Sequence, residues 1–422
     1  MYLRPGKRTG TPRETAISVL ALPASARQPP NGSSVWTCED AWMSPPLWRV
    51  ARYFLMLGAT GFGGPVALTT YMRRDLIERE KWFSPEEFDE GLAIATACPG
   101  PLAYQLGIYC GYLTHGITGA LAVAFAFAAA PFVFVSAAAY LYVRYGSAWE
   151  LRALFLGIAP VVVALIFKSC VDLGRKTLRR DAMAWAFAGA ACAFTVLVQK
   201  ELFAVLLAAG VIGIFVFATK PVRTAAAADG SPSRVTLGAI ALPVLPHVAL
   251  SKIFWFFFKT GFLVFGSGLV IVPFLKAYVV DQYHWLSTQA FVDSIAIGIV
   301  SPGPVVITAT FVGYVVGAFP GALVATAGMF APSLAFVIAG TPILRRYRSH
   351  PRVQGFVRGI TVAVVGVLIG TSFLLARTMI HGIASAVILL VALAILVLAR
   401  KVPDQALVAG GAAAGLITYS IM

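Results

Sequence analysis

Long apolar runs, separated by short polar segments, alternate along most of the chain after residue 48. Runs of 17 or more mostly apolar residues recur, at 117–143, 182–199, 202–218 and 323–340. A helix of about 20 apolar residues is long enough to cross the hydrocarbon layer of a bilayer. The pattern therefore predicts an all-α polytopic membrane protein that sits in a lipid bilayer.

The second half of the chain repeats the pattern of the first half. Pro-Gly-Pro occurs at 99–101 and again at 302–304, which is 203 residues later, and the same offset relates Phe62-Gly63 to Phe265-Gly266. Many transporter folds are built from internal repeats of this kind, with broken helices at corresponding positions. We therefore expect a duplicated transporter unit.

The composition of the remaining segments sets the expected domain boundaries. Residues 1–47 are basic and rich in Pro and Ser, which favours a disordered tail. Residues 48–218 form the expected N-terminal repeat, and residues 251–422 form the C-terminal repeat. Between them, residues 219–250 are rich in Ala, Pro, Ser and Gly, as is typical of a linker.

Each Pro-Gly-Pro interrupts an apolar stretch. Proline removes a backbone donor and clashes with the preceding turn, so each tripeptide should end one helix and begin another. This favours a re-entrant helical hairpin, which a membrane permits where the backbone is buried in protein or lines a cavity. Each half then has about five transmembrane helices, including one continuous span over 50–72, and the second half is inverted.

The positive charges of the loops favour this inverted arrangement. The net charge is +15, but the Lys and Arg residues lie between the apolar runs and form no interleaved basic–aromatic patch, which argues against a nucleic-acid partner. In the inverted arrangement most of them lie on one side, as the positive-inside rule requires for the cytoplasmic face of a cell (inner) membrane. The same arrangement places the basic N-terminal tail outside.

The sequence carries no pattern typical of an enzyme or a cofactor site. It lacks HExxH, GxSxG and Walker motifs, and its five cysteines show no CxxC spacing. We therefore expect no cofactor and no metal. An intramembrane enzyme or a scaffold, the alternative of a different class, would need a clustered nucleophile and base or a large exposed domain.

The helices that begin at the two Pro-Gly-Pro turns are candidates for an anion site. A helix start presents free N–H groups and the positive end of the helix dipole, and nearby glycines allow close backbone approach. The alternatives are a kink filled by packing and glycines that serve helix packing. The candidate substrate-binding residues are Gly63, Gly64, Pro99, Gly100, Pro101, Gln105, Gly266, Gly268, Pro302, Gly303, Pro304 and Thr308.

Two pairs of charged residues occupy equivalent positions of the two halves. Arg73 and Lys276 follow the glycine-rich segments and could attract an anion at the mouths of the site, or extend to the lipid boundary. Glu90 and Asp293 each precede a Pro-Gly-Pro by nine residues. They are candidates for proton coupling, with a solvated residue at a helix start as the alternative.

Together these motifs resemble the chromate ion transporter family in its long two-domain form. The resemblance is carried by Phe62-Gly63-Gly64-Pro65, Arg74-Asp75-Leu76, Trp82, Pro99-Gly100-Pro101-Leu102-Ala103, Gln105-Leu106, Tyr109, Phe265-Gly266-Ser267-Gly268, Trp285-Leu286, Pro302-Gly303-Pro304, Ala309-Thr310-Phe311 and Gly313-Tyr314. It implies a secondary carrier that exports chromate by alternating access, driven by the proton or ion gradient, and so confers chromate resistance. Sulfate, an anion of similar shape, is the alternative substrate, and the oligomeric state is left open, with a homodimer among the options.

Overall fold

In the computed structural model of the chain, the described residues are 45–62, 64–98, 100–146, 149–179, 181–198, 202–217, 249–264, 268–347, 350–380, 382–399 and 402–421. Three candidate site residues, Gly63, Pro99 and Gly266, lie outside this set, as do most of the predicted tail and linker. Within the described ranges the elements are helices, fourteen of them α-helices.

Each half contributes seven α-helices. Those of the first half are α1 Leu47–Thr60, α2 Gly64–Arg73, α3 Pro85–Ala97, α4 Leu102–Tyr145, α5 Trp149–Thr177, α6 Ala182–Val198 and α7 Leu202–Val216. Those of the second half are α8 Leu250–Gly261, α9 Ile271–Phe274, α10 Thr288–Val300, α11 Thr308–Tyr347, α12 Pro351–Met379, α13 Gly382–Leu398 and α14 Asp404–Ile421.

Four helical stretches are long and apolar enough to cross a membrane: Leu102–Tyr145, Ala153–Thr177, Val305–Thr341 and Pro351–Met379. Shorter apolar helices, among them α6, α7, α10 and α13, accompany them. The protein is thus an all-α polytopic membrane protein, as the sequence predicts.

The long helices α4 and α11 each contain a sharp reversal. Backbone angles leave the helical region at His115 and Gly116, and again 202 residues later at 317–318. Gly111 and Gly119, on either side of the first reversal, lie so close that an added Cβ on either would overlap the carbonyl of the other. Residues 102–114 and 117–145 therefore run antiparallel, as a short helix followed by a long one.

The chain also reverses between α3 and α4, where the sequence predicts a hairpin. A capping box starts α3, in which Glu87 N donates to Ser84 Oγ and Ser84 N donates to Glu87 Oε2, both at 3.1 Å. Farther along, Tyr109 Oη donates to Glu90 Oε2 at 3.1 Å, so α3 and the first part of α4 lie side by side. Where this hairpin lies relative to the bilayer stays a prediction.

The prediction of one continuous span over 50–72 is wrong. Helix α1 ends at Thr60 and α2 begins at Gly64, which has φ +78°. A nitrogen of the Arg49 guanidinium lies 3.1 Å from Glu80 Oε2, so the start of α1 and the end of the segment after α2 meet. The glycines allow this sharp break. The start of α1 therefore lies at the same end of the fold as the basic connector 73–81, whereas a continuous span would place it at the opposite end.

Contacts between the halves are reciprocal. Cys170 Sγ of α5 lies 3.4 Å from Ser372 Oγ of α12, and these two positions are equivalent under the 202-residue offset. Helix α5 packs closely on α14 at Gly157 and Gly411, and α12 packs in the same way on α7. Reciprocal contacts of this kind are those expected of two bodies related by a two-fold axis. That this axis lies in the membrane plane, as inverted topology requires, stays a prediction.

Candidate functional site

Each Pro-Gly-Pro turn contacts the glycine-rich break of the other half. Gly100 N donates to Val264 O at 2.5 Å, and Gly303 N donates to Gly61 O at 2.9 Å. The two bonds are equivalent, because both the donors and the acceptors are 203 residues apart. We name the Gly100–Val264 contact the first junction and the Gly303–Gly61 contact the second junction.

Both donor glycines have backbone angles that other residues rarely adopt. The φ angle is +137° at Gly100 and +82° at Gly303. A side chain in this region of φ clashes with the backbone, and only glycine adopts it at little cost. The turns therefore depend on glycine for their conformation as well as for the close approach of the other half.

Helices begin at both junctions without a side-chain cap. Pro101 precedes α4, and Pro304 precedes the 3-10 turn Val305–Ile307 that leads into α11. Gly268 begins the 3-10 turn Gly268–Val270 that leads into α9, and it packs against Val305. N–H groups at the start of a helix lack intrahelical acceptors and carry the positive end of the dipole. Such ends suit an anionic ligand.

The two predicted side-chain donors differ in their surroundings. Gln105 is fully buried, and its Nε2 lies so near Gly100 that a Cβ there would overlap it. Thr308, also buried, donates its hydroxyl proton to Val305 O at 2.8 Å. The first junction thus has an amide beside the turn, whereas Thr308 stabilises the start of its own helix. A role for either residue in binding substrate stays a prediction.

Arg73 and Lys276 lie in equivalent positions, and each is paired with a carboxylate. Arg73 contacts Asp89 Oδ1 at 2.5 Å, with the two side chains 44% and 56% exposed. Lys276 pairs with Asp281 five residues later, and its side chain is only 14% exposed. An incoming anion must therefore compete with a carboxylate at either position.

The candidate coupling residues Glu90 and Asp293 also differ. Glu90 accepts from Tyr109 within its own hairpin. Asp293 is 2% exposed and accepts from Tyr142 Oη at 2.7 Å and from Gln289 Nε2 at 2.8 Å. A buried carboxylate requires such donors, and Tyr142 supplies one from the other half of the chain.

The two hairpins differ in exposure. In the first half, α3 exposes one face at Asp89, Ala93 and Thr96. The equivalent residues of α10, Val292, Ala296 and Ile299, are 1%, 2% and 5% exposed. Gln405 of α14 lies against this covered hairpin, with its Nε2 3.4 Å from Ile299 O. The first hairpin is therefore open along one face, and the second is covered by the other elements of the fold.

Gly61 and Val264 are not among the candidate substrate-binding residues predicted from the sequence. Each immediately precedes a Phe-Gly pair, and the two are equivalent under the 203-residue offset. That equivalence is the signal that points to them. Their role as acceptors becomes visible only when the two halves are packed together.

Broken helices that meet at corresponding positions of two repeats are typical of membrane transporters. The profile of the family described as Chromate transporter matches residues 48–214 and 251–416, most of the chain. The chain belongs to this family.

Named relatives extend the match over nearly the whole sequence. The chain is 38% identical to the "Chromate transport protein" of Cupriavidus metallidurans, over 94% of this chain and 98% of the relative. It is 37% identical to the "Probable chromate transport protein" of Synechococcus elongatus, over 88% of this chain and 95% of the relative. The "Chromate transport protein" of Pseudomonas aeruginosa is 29% identical, over 77% and 80%. No solved structure matches the chain.

Proposed function

We propose that this protein transports chromate out of the cell, across the inner membrane, by alternating access between inverted halves and at the expense of the proton or ion gradient. The observation that carries the proposal is the pair of reciprocal junctions, where uncapped helix starts of each half meet the break of the other. The names of the similar proteins supply the substrate.

The chemistry of the junctions suits a dianion. Backbone N–H groups and helix dipoles stabilise negative charge without a full counter-charge buried in the membrane, where a charge is costly. Glycines at 100, 268 and 303 keep side chains away from the turns. Arg73 and Lys276, at the outer ends of the hairpins, would raise the local concentration of the anion.

The unequal exposure of the hairpins supports alternating access. The open face of α3 would connect the first junction to the side of the basic connector, which the positive-inside rule assigns to the cytoplasm. The covered α10 would close the opposite side. If the first hairpin became covered and the second hairpin became open, the anion would gain access to the other side of the membrane.

Accumulation of chromate in everted membrane vesicles tests the proposal. We expect uptake that needs no ATP, that collapses with an uncoupler and that is absent from vesicles without the protein. Sulfate is added as a competitor, because a tetrahedral dianion of similar size is the second candidate substrate. Inhibition by a small excess of sulfate would favour sulfate as the natural substrate. The absence of any ATP-independent oxyanion flux would contradict both candidate substrates.

A further inference from the structure

Three buried hydroxyls of the described residues, those of Tyr53, Ser136 and Ser333, have no hydrogen-bond partner, and that of Ser333 lies close to a turn that the proposed function uses. Ser333 of α11 is 0% exposed, and its Oγ has no partner among the described residues. A buried donor without a partner lowers stability, so such groups in native proteins have a specific reason. A ligand that accepts its proton is one such reason.

Ser333 Oγ lies directly beside the first junction. A Cβ placed on Gly100 would overlap both Ser333 Oγ and Gln105 Nε2, so the hydroxyl and the amide face the same turn from opposite halves of the chain. Tyr104 and Phe330 hold the start of α4 against α11, with their ring centroids 4.4 Å apart. The side chains of Ser333 and Gln105 are thus fixed beside the uncapped start of α4.

The second junction lacks such donors among its described contacts. The position equivalent to Ser333 is Pro131, and a Cβ placed on Gly303 would lie 2.7 Å from Pro131 Cγ. The proline ring has no donor, and Thr308 uses its proton at Val305 O. The two junctions are therefore equivalent in backbone but not in chemistry.

We propose that Ser333 is an oxyanion-binding residue and that the protein holds its anion at the first junction alone. The site consists of the start of α4 and Ser333 Oγ, both donors to a tetrahedral oxyanion, with the side chain of Gln105 beside them. This inference deepens the proposed function and depends on it. Pro131 makes the second junction a packing contact.

Chromate uptake by reconstituted protein tests this assignment, with Ser333→Ala as the variant. A hydrogen bond to a charged group contributes enough binding energy for its loss to raise KM for chromate about 10- to 150-fold. The maximal rate and the amount of protein in the membrane should change little. Ser385→Ala in α13, where the hydroxyl donates to Gly382 O, is the matched control and should leave KM unchanged.

The outcomes separate this inference from the proposed function. If wild-type protein transports chromate and Ser333→Ala has the same KM, Ser333 is not a ligand, and the proposed function stands. If the Ser333→Ala protein does not reach the membrane, Ser333→Cys is used instead, which keeps a similar shape but offers only a weak S–H donor, and its KM should still rise. If the wild type neither transports nor binds chromate or sulfate in calorimetric titration, both proposals fall.

Discussion

Two glycine residues determine the conformation of the Pro-Gly-Pro turns. At Gly100 and Gly303 the chain needs a positive φ and, at the same time, room for atoms of the other half. The positions of these glycines were predictable from the tripeptides alone. The identity of the atoms that they face was not predictable, because Ser333 and Pro131 each lie in the opposite half from the glycine they contact.

Gly100→Ala tests the first turn. The added Cβ meets Ser333 Oγ and Gln105 Nε2 at an unfavourable φ, and strain of this kind costs about 1–3 kcal/mol. This cost corresponds to a fall in chromate uptake of about 5- to 150-fold, while the protein remains in the membrane. Gly189→Ala in α6 is the control, since a Cβ there has no neighbour within 4 Å. Wild-type uptake by Gly100→Ala would remove this turn from the transport site.

Asp293→Asn tests proton coupling. The substitution keeps the size of the side chain but removes its ability to exchange a proton in the environment formed by Tyr142 and Gln289. We expect chromate accumulation driven by a pH gradient to be lost, while exchange of labelled for unlabelled chromate continues. Glu90→Gln is measured in parallel, because Glu90 is the equivalent residue. Gradient-driven accumulation by both variants would contradict a role for either carboxylate in coupling.

At the scale of elements, sequence and structure agree on one break and differ on another. Two prolines predict the hairpin at 98–102, since proline acts locally on the backbone. The break after Thr60 was not predicted, because residues 50–72 read as one apolar segment and a glycine suits packing as well as a turn. The Arg49–Glu80 ion pair, between residues 31 positions apart, and the contact of the Tyr53 and Trp82 rings show that the chain returns.

Cysteine labelling tests the unequal exposure of the hairpins. Thr96→Cys places a thiol on the open face of α3, and Ile299→Cys places one at the equivalent, covered position of α10. With a membrane-impermeant maleimide, we expect Thr96→Cys to react from the cytoplasmic side and Ile299→Cys to be protected from both sides. Wild-type protein gives the background of the native cysteines. Equal labelling of both positions would contradict the access path.

At the scale of the whole molecule, the repeat was readable from the sequence, but the way the halves pack was not. Equivalent residues reveal a duplication without showing which of them touch. The contact of Cys170 with Ser372 and the packing of α5 on α14 are long-range and depend on the complete fold. The same holds for the ion pair of Lys168 Nζ with Asp404 Oδ1 at 2.7 Å, which joins the halves. The equivalent positions of the repeat do not carry a pair of opposite charges.

Ser372→Cys tests the packing of the halves. With Cys170 Sγ close to the introduced thiol, mild oxidation should form a disulfide that holds α5 against α12. A protease site is introduced into the linker, and gel electrophoresis after cleavage shows whether the disulfide still joins the two halves. We expect oxidised protein to stay joined and to lose transport, and reduction to restore both properties. The same variant carrying Cys170→Ser is the control, and halves that separate after oxidation would contradict the contact.

The contacts that each half makes with the other at the junctions limit the order in which the protein can fold. Because the other half supplies the backbone acceptor for each turn, neither half can form either junction by itself. During synthesis, the first half must leave its turn and its break unmatched until the second half has been inserted. Both junctions can therefore form only after the second half has been made and has packed against the first.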